Sequence, residues 1–300
     1  MKNKIFELLA LILAAIICQY NLMYSQCGCC SAAFSGSALA AGTSNIGVLK
    51  EGSLRIIAMH RALYGDHFYD GTQKLGKFYD EQMLINFTGI NIGYGVTKRF
   101  TLETEIGAFP DKNINMGYQI ERISGFSSIN LIGKYTVLAD RDNKQEITIG
   151  AGYRQPLSGN VALSGNSGGI LQLFYFKNLY DDFNLVFLSR AELFLINPDK
   201  FEQGNSYINS VFISKKISEK FYGLVEFRYD HLSKSYQESE LLINTGRSVL
   251  SIVPQLSCNF GKLSVSGFFE LPVYKNFNGI QLGESFGAGI ALVMMSDLFN

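Results

Sequence analysis

The sequence predicts an all-β fold: a transmembrane, antiparallel, up-and-down β-barrel of about twelve strands that follows an N-terminal signal peptide. Three observations carry this expectation. From Ser53 onward the chain divides into segments of about ten to fourteen residues, many alternating apolar and polar side chains with period two. The connections between these segments alternate between short and long. Beyond the first 25 residues, no apolar stretch is long enough to form a membrane helix.

The start, MKNKIFELLALILAAIICQYNLMYSQ, places Lys2 and Lys4 before an apolar run from Leu8 to Cys18 and a more polar end at Tyr24-Ser25-Gln26. That is the pattern of a secretory signal, cut near Ser25. The run is short for a membrane anchor, and Glu7 interrupts its start. Three regions follow: a signal peptide over 1–25, a small-residue and cysteine-rich segment over 26–51, and the barrel over 52–300.

The expected strands lie near 52–64, 82–95, 99–109, 124–138, 145–156, 169–178, 184–196, 206–215, 219–230, 247–258, 262–273 and 284–295. The alternation is clearest in TLETEIGAF, where Leu102, Thr104, Ile106 and Ala108 share one face and Thr101, Glu103, Glu105 and Gly107 the other. In EITIGAGYR, Ile147, Ile149, Ala151 and Tyr153 oppose Glu146, Thr148 and Arg154. In KFYGLVEFRYD, Phe221, Val225, Phe227 and Tyr229 oppose Glu226 and Arg228. In KLSVSGFFELPVY, Leu263, Val265, Phe269, Leu271 and Val273 oppose Ser264, Ser266 and Glu270. Two segments break the pattern. Asn86 and Asn91 have opposite parity, and Pro254 removes a ladder donor, so a bulge or kink is expected in each.

Short turns fall at Val96–Arg99, Asp140–Lys144, Leu179–Phe183, Lys216–Glu219 and Asn259–Gly261. Long loops fall at Gly65–Glu81, Pro110–Gly125, Pro156–Gly168, Pro198–Asn205, His231–Gly246 and Lys275–Gln281. A soluble sandwich has no reason to gather its short turns at one end. An outer-membrane barrel does, with short periplasmic turns, long external loops and both termini in the periplasm. Lipid also demands closure, since no open sheet edge is tolerated there. The expected location is therefore the outer membrane of a Gram-negative bacterium, with outer-membrane lipids and the barrel assembly machinery as partners. The end GIALVMMSDLFN lacks a terminal aromatic residue for that machinery, because Phe299 sits one position early.

The composition agrees. Charged residues make up only 17% of the chain, against 23 Phe, 16 Tyr and 30 Gly, a balance suited to many strands. Basic and acidic residues number 26 each, which argues against nucleic acid as a partner. There is no Trp, so Tyr must supply the interfacial girdles.

If the apolar faces meet lipid, the opposite faces carry Arg55, Arg61, Glu103, Glu105, Lys134, Glu146, Arg154, Arg190, Glu192, Glu226, Arg228 and Glu270. An Arg or Lys turned toward mid-bilayer lipid costs about 2–4 kcal/mol, so these side chains are expected in the lumen. There they either line a polar path for a small solute or bond across strands and fill the barrel. Twelve strands lie between small filled barrels and open porins, so both outcomes stay open.

Three cysteines stand together after the signal, Cys27, Cys29 and Cys30, and Cys258 is the remaining cysteine of the exported chain. In an oxidising periplasm they are candidates for a disulfide. Their thiolates also suit a soft metal ion such as Cu(I) or Zn(II), although no histidine is near and C-x-C-C is not a zinc-knuckle spacing. No other cofactor is expected. Gln26 before Cys27 and Ile17 before Cys18 both depart from a lipid-anchor signal. Cys258 is expected at the periplasmic end of its strand, on the side of Cys27. The segment from Ser31 to Lys50 is too small and polar for a core of its own and is expected to plug the lumen or hang in the periplasm. LSGNSGGI, from Leu163 to Ile170, lacks the Lys and the strand–helix context of a phosphate loop and reads as an external loop. Only three histidines are available for a lipid-hydrolase arrangement: His60 near the outer end of the first strand, and His67 and His231 in external loops. No nucleophile stands near them, so no catalytic residue is expected and the chain does not read as an enzyme.

The stretch INIGYGVTKRFTLETEIGAFP, followed by GFSSINLIGKYTVL, resembles the MetA-pathway phenol-degradation family of outer-membrane barrels. The matching residues are Gly93, Tyr94, Gly95, Thr97, Arg99, Leu102, Gly133, Lys134 and Tyr135. They cover about the first half of the barrel, and the cysteine-rich start is not part of the family's pattern. The resemblance implies passage of small solutes, hydrophobic ones among them, across the outer membrane. It brings no catalytic or binding residues with it. The alternatives from the residues themselves are a non-conducting structural barrel and a metal- or redox-linked barrel using the CGCC segment.

Overall fold

A computed structural model describes residues 47–297 apart from 78, 118, 141 and 181–182. In chain order the elements are β1 (Ser53–Gly65), β2 (His67–Gly71), β3 (Gln73–Lys74), β4 (Gln82–Thr97), β5 (Phe100–Asn115), β6 (Ile120–Asp140) and β7 (Gln145–Pro156). A one-turn helix α1 (Val161–Ser164) precedes β8 (Gly168–Tyr180), β9 (Phe183–Phe194), β10 (Phe201–Glu202) and β11 (Ser206–Lys216). The chain ends with β12 (Phe221–Leu232), β13 (Tyr236–Gln237), β14 (Glu240–Leu241), β15 (Arg247–Phe260), β16 (Leu263–Gly283) and β17 (Phe286–Asp297).

Twelve of these form the barrel, each antiparallel to its sequence neighbour: β1, β4 to β9, β11, β12 and β15 to β17. Closure is made by β1 against β17, from Ser53 opposite Asp297 to Tyr64 opposite Phe286. All twelve expected segments are strands. The closed form follows from the sequence pattern, because each strand has one face that water cannot cover and an edge that lipid cannot satisfy.

The alternation is visible in burial. Along β1, Ser53, Arg55, Ile57, Met59, Arg61 and Leu63 are buried and their neighbours are not. The outward face is a belt of exposed apolar side chains: Ile90 and Ile92 on β4, Leu171 and Leu173 on β8, Val225 and Phe227 on β12, and Leu292 and Met294 on β17. Leaving so much apolar surface uncovered is unfavourable in water and natural in hydrocarbon.

One end carries the tight turns. Between β15 and β16 only Gly261 and Lys262 intervene, and Gly261 takes the left-handed conformation (φ 72°) that a side chain would oppose. At the other end the hairpins are longer than expected. The stretch Pro110–Gly125, read as a loop, is mostly strand, because β5 and β6 continue to Asn115 and from Ile120. Likewise β16 runs on through Lys275–Gln281 to Gly283, where it pairs with β2. His231 lies within β12, not in a loop.

The irregularities differ from the expectation in place. The parity of Asn86 and Asn91 is unbroken within β4, with Asn86 outward and Asn91 buried inward. The bulge sits on its partner, where register shifts between Asn86 and Thr88 against β5. Along the β15–β16 ladder the shift falls between Leu250 and Ser251, and the paired positions skip Val253 and Pro254.

Candidate functional site

The lumen is the candidate site, and its charges arrive there by strand parity. Eleven of the twelve sequence-predicted residues are buried, from 8% exposed at Arg55 to 0% at Glu226. Glu146 is half-buried near the periplasmic end, where Thr136 and Thr148 donate hydroxyl bonds to its Oε1 at 3.2 and 2.8 Å. Charges this deep are tolerable only when paired.

They are paired in three networks. In the first, toward the periplasmic end, Glu103 accepts from Arg55 Nη2 at 2.6 Å and meets Lys134 Nζ at 2.9 Å. Asn91 donates to the same carboxylate, and the Lys134 ammonium lies 4.4 Å from the centre of the Phe174 ring. The second spans the lumen. Arg190 on β9 forks onto Glu105 on β5 with bonds of 3.1 and 2.9 Å, and its Nε donates to Glu192 at 2.9 Å. Three strands stand between β5 and β9, so this bridge crosses the barrel instead of running along its wall. Arg154 adds a bond to Glu192 at 3.3 Å. In the third, Arg61 donates to both oxygens of Glu270 at 2.8 and 2.6 Å, and Arg228 pairs with Glu270 and with Asp230 at 3.2 Å. The bidentate fork of Arg190 on Glu105 fixes orientation as well as charge.

Apolar clusters fill the space between. Met59, Leu63, Met83, Ile85, Phe87 and Phe109 pack toward the external half, and Phe174, Val186, Leu188, Phe212 and Leu224 toward the periplasmic half. From the external end the loop after β7 folds inward: Leu163 joins the first of these clusters, and α1 offers its carbonyls to lumen cations. Lys112 Nζ donates to the Ala162 carbonyl at 2.9 Å, and Arg154 Nη2 to that of Ser164 at 2.8 Å.

At the periplasmic mouth the chain itself enters the barrel. Gly47, Val48 and Leu49 are buried, and the Leu49 amide donates to Thr101 Oγ1 at 2.7 Å. Gly93 and Gly95 lie on the inner face where this segment passes. A side chain at Gly95 would strike the Lys50 carbonyl, and the Gly52 amide bonds the Gly95 carbonyl at 2.8 Å. Glycine is needed there for close backbone approach.

Cys258 lies on the outward parity of β15 and has no disulfide partner among the described residues; Cys27, Cys29 and Cys30 fall outside them. Among the described residues no three His, Cys, Asp or Glu side chains group as metal ligands. His60 faces outward and contacts Thr88 Oγ1 at 3.0 Å. Sequence reasoning passed over Lys112, Asp230, Glu284 and Gln255, all buried or half-buried at the lumen. Asp230 and Gln255 continue the inward parity of strands already read as lumen-facing, so the signal for them was present. Lys112 was hidden by the bulge after Phe109.

No family model and no curated protein sequence matches the chain. Among solved structures it superposes on the COG4313 outer membrane channel from Pseudomonas putida F1 with a TM-score of 0.70 at 13% identity, over 85% of this chain and 99% of that one. The chain has the fold of an outer-membrane channel. The NanC porin aligns at a TM-score of 0.49 and 10% identity, over 79% of this chain and 98% of that one. The Ralstonia pickettii toluene transporter TbuX aligns at 0.41 and 10%, over 82% and 90%.

Proposed function

We propose that the protein is a narrow, internally latched channel of the outer membrane that passes small solutes by diffusion. The observation that carries this reading is the Glu105–Arg190 bridge. It is a polar contact thrown across a barrel interior whose strand number leaves room for a path. With the lining charges nearly unexposed, the described arrangement is the closed one. Opening requires partners to separate or exchange, which an ion-paired interior permits more readily than a close-packed apolar one. The apolar cluster around Phe87 and Phe109 suits solutes with a hydrocarbon portion, as the resemblance to phenol-degradation barrels implies.

The segment over 26–51 acts on this reading from the periplasmic mouth, since residues 47–49 already lie inside the wall. Its cysteines serve as a disulfide or a soft-metal site outside the conduction path. Export by the signal peptide and insertion by the assembly machinery complete the reading. It is tested in planar lipid bilayers: the wild-type barrel shows small unitary currents, and deletion of residues 28–48 enlarges them. No current from either form would favour a non-conducting structural barrel.

A further inference from the structure

The third network leaves buried polar atoms without partners. On the inner face of β12, Glu226 accepts from Ser210 Oγ at 2.7 Å through Oε1, but its Oε2 takes no hydrogen bond. The nearest ion-pair contact of that oxygen is Arg228 Nη1 at 3.9 Å. Glu226 stands opposite Val253 on β15, so the inward residues flanking it diagonally are Ser251 and Gln255. Both are buried, at 0% and 6% exposed, and neither Ser251 Oγ nor either amide atom of Gln255 has a partner. Diagonal neighbours across a ladder lie about 7–8 Å apart, a span that one small molecule bridges. In register, Phe212 stands opposite Glu226 on β11, and Phe268 opposite Gln255 on β16.

The chemistry of these groups selects an occupant. Glu226 Oε2 and Gln255 Oε1 require donors, and the Ser251 hydroxyl accepts one. The local charge is also unbalanced. Arg61 and Arg228 face three carboxylates, Glu226, Asp230 and Glu270, while Arg247 above them is committed to Glu284 at 2.8 Å. One carboxyl group is thus left without an arginine of its own.

We propose that this cluster is a binding site on the conduction path for a small organic cation carrying several N–H donors, of the primary-ammonium type. An anion would meet the three carboxylates, and an ion without N–H groups would leave the buried acceptors unsatisfied, which is costly. The inference rests on the channel reading and names the class of solute for it.

The test is bi-ionic reversal potential in planar bilayers, with methylammonium (three N–H donors) on one side and tetramethylammonium (none) on the other. Wild type is expected to favour methylammonium by about tenfold or more, the ratio that one charge-assisted hydrogen bond supplies. Glu226→Gln removes the charge and is expected to lower that preference about tenfold while currents persist. Gln255→Leu removes an unpartnered amide and is expected to lower it several-fold. Because it breaks no contact of the fold, it keeps the test decisive if Glu226→Gln fails to assemble. Currents with equal preference in wild type and both variants would overturn this inference and leave the channel reading standing, since size sieving alone survives both substitutions. An absence of current in wild type would overturn the channel reading itself.

Discussion

Replacing Arg190 with Gln tests whether the cross-lumen bridge holds the barrel shut and together. Arg190 is 2% exposed and makes three charge-assisted contacts, two to Glu105 and one to Glu192. Its loss leaves Glu105 with the Asn130 amide at 2.8 Å and Glu192 with Arg154 at 3.3 Å. Breaking a buried pair from one side costs about 3–5 kcal/mol, and the surviving donors place Arg190→Gln toward the lower part of that range. Glu105→Gln leaves Arg190 its bond to Glu192 and should cost about 1.5–3 kcal/mol. The double variant strands neither charge, so its cost should fall below the sum by about 2 kcal/mol. Urea unfolding of barrels refolded into vesicles measures these differences. The chain has no Trp, so the readouts are circular dichroism and the gel-mobility shift of folded barrels. The same variant should raise unitary conductance, because the bridge lies across the path. A coupling below about 0.5 kcal/mol, with unchanged conductance, would refute the bridge as a latch.

Three further outcomes are expected. Asp66, beyond the end of β1 at the external rim, is raised by burial but held lower, at about 2, by hydrogen bonds from His67, Ser285 and Lys77. Its folded value is thus depressed, so its contribution is full above the ordinary value of 3.8 and vanishes as pH falls through about 2. The melting difference between wild type and Asp66→Asn should be flat above pH 4 and shrink toward zero at pH 2 (a constant gap would contradict it). Gly95→Val should push the Leu49–Lys50 backbone off the wall, and maleimide labelling of Leu49→Cys, slow in the parent, should become rapid. Leu163→Asp should expel α1 from the external apolar cluster and increase conductance. It should also lower stability by about 2–5 kcal/mol, the range for emptying a leucine site, read by the same urea assay.

The strands were legible because one physical contrast repeats along the chain: lipid outside, charge inside, one residue apart. Leu102 and Glu103, or Phe227 and Arg228, announce their faces without any knowledge of the neighbours. What stayed hidden was whatever breaks period two or spans the barrel. Pro110, Asp111 and Lys112 read as a polar loop, yet the bulge there turns Lys112 inward to 0% exposure. Nothing local shows that Arg190 reaches Glu105, since the partners are 85 residues apart and their meeting depends on barrel curvature and shear. Gly93 and Gly95 were legible as part of a hairpin motif, but their purpose, a bare patch of wall for Leu49 and Lys50, needed the path of the incoming chain.

The use of ion pairs inside this barrel also bears on what kind of object it is. A filled scaffold gains most from close-packed apolar side chains, and buried ion pairs are at best neutral against such a core. Here the two kinds of filling are segregated. Apolar clusters occupy the external β1–β4–β5 side and the periplasmic β8–β9–β11–β12 side, while the charges form chains that cross between walls. Arg228 stands within ion-pair distance of three carboxylates, Glu226, Asp230 and Glu270, so it can shift among them while Arg61 still holds Glu270. Arg190 is bonded to Glu192 as well as to Glu105, so it keeps one carboxylate partner when Glu105 is released. A network with spare partners can open by exchange at a cost of single hydrogen bonds, whereas a jigsaw core opens only by losing its packing. The second carboxylate beside each of these arginines is therefore the feature on which the proposed gated lumen rests.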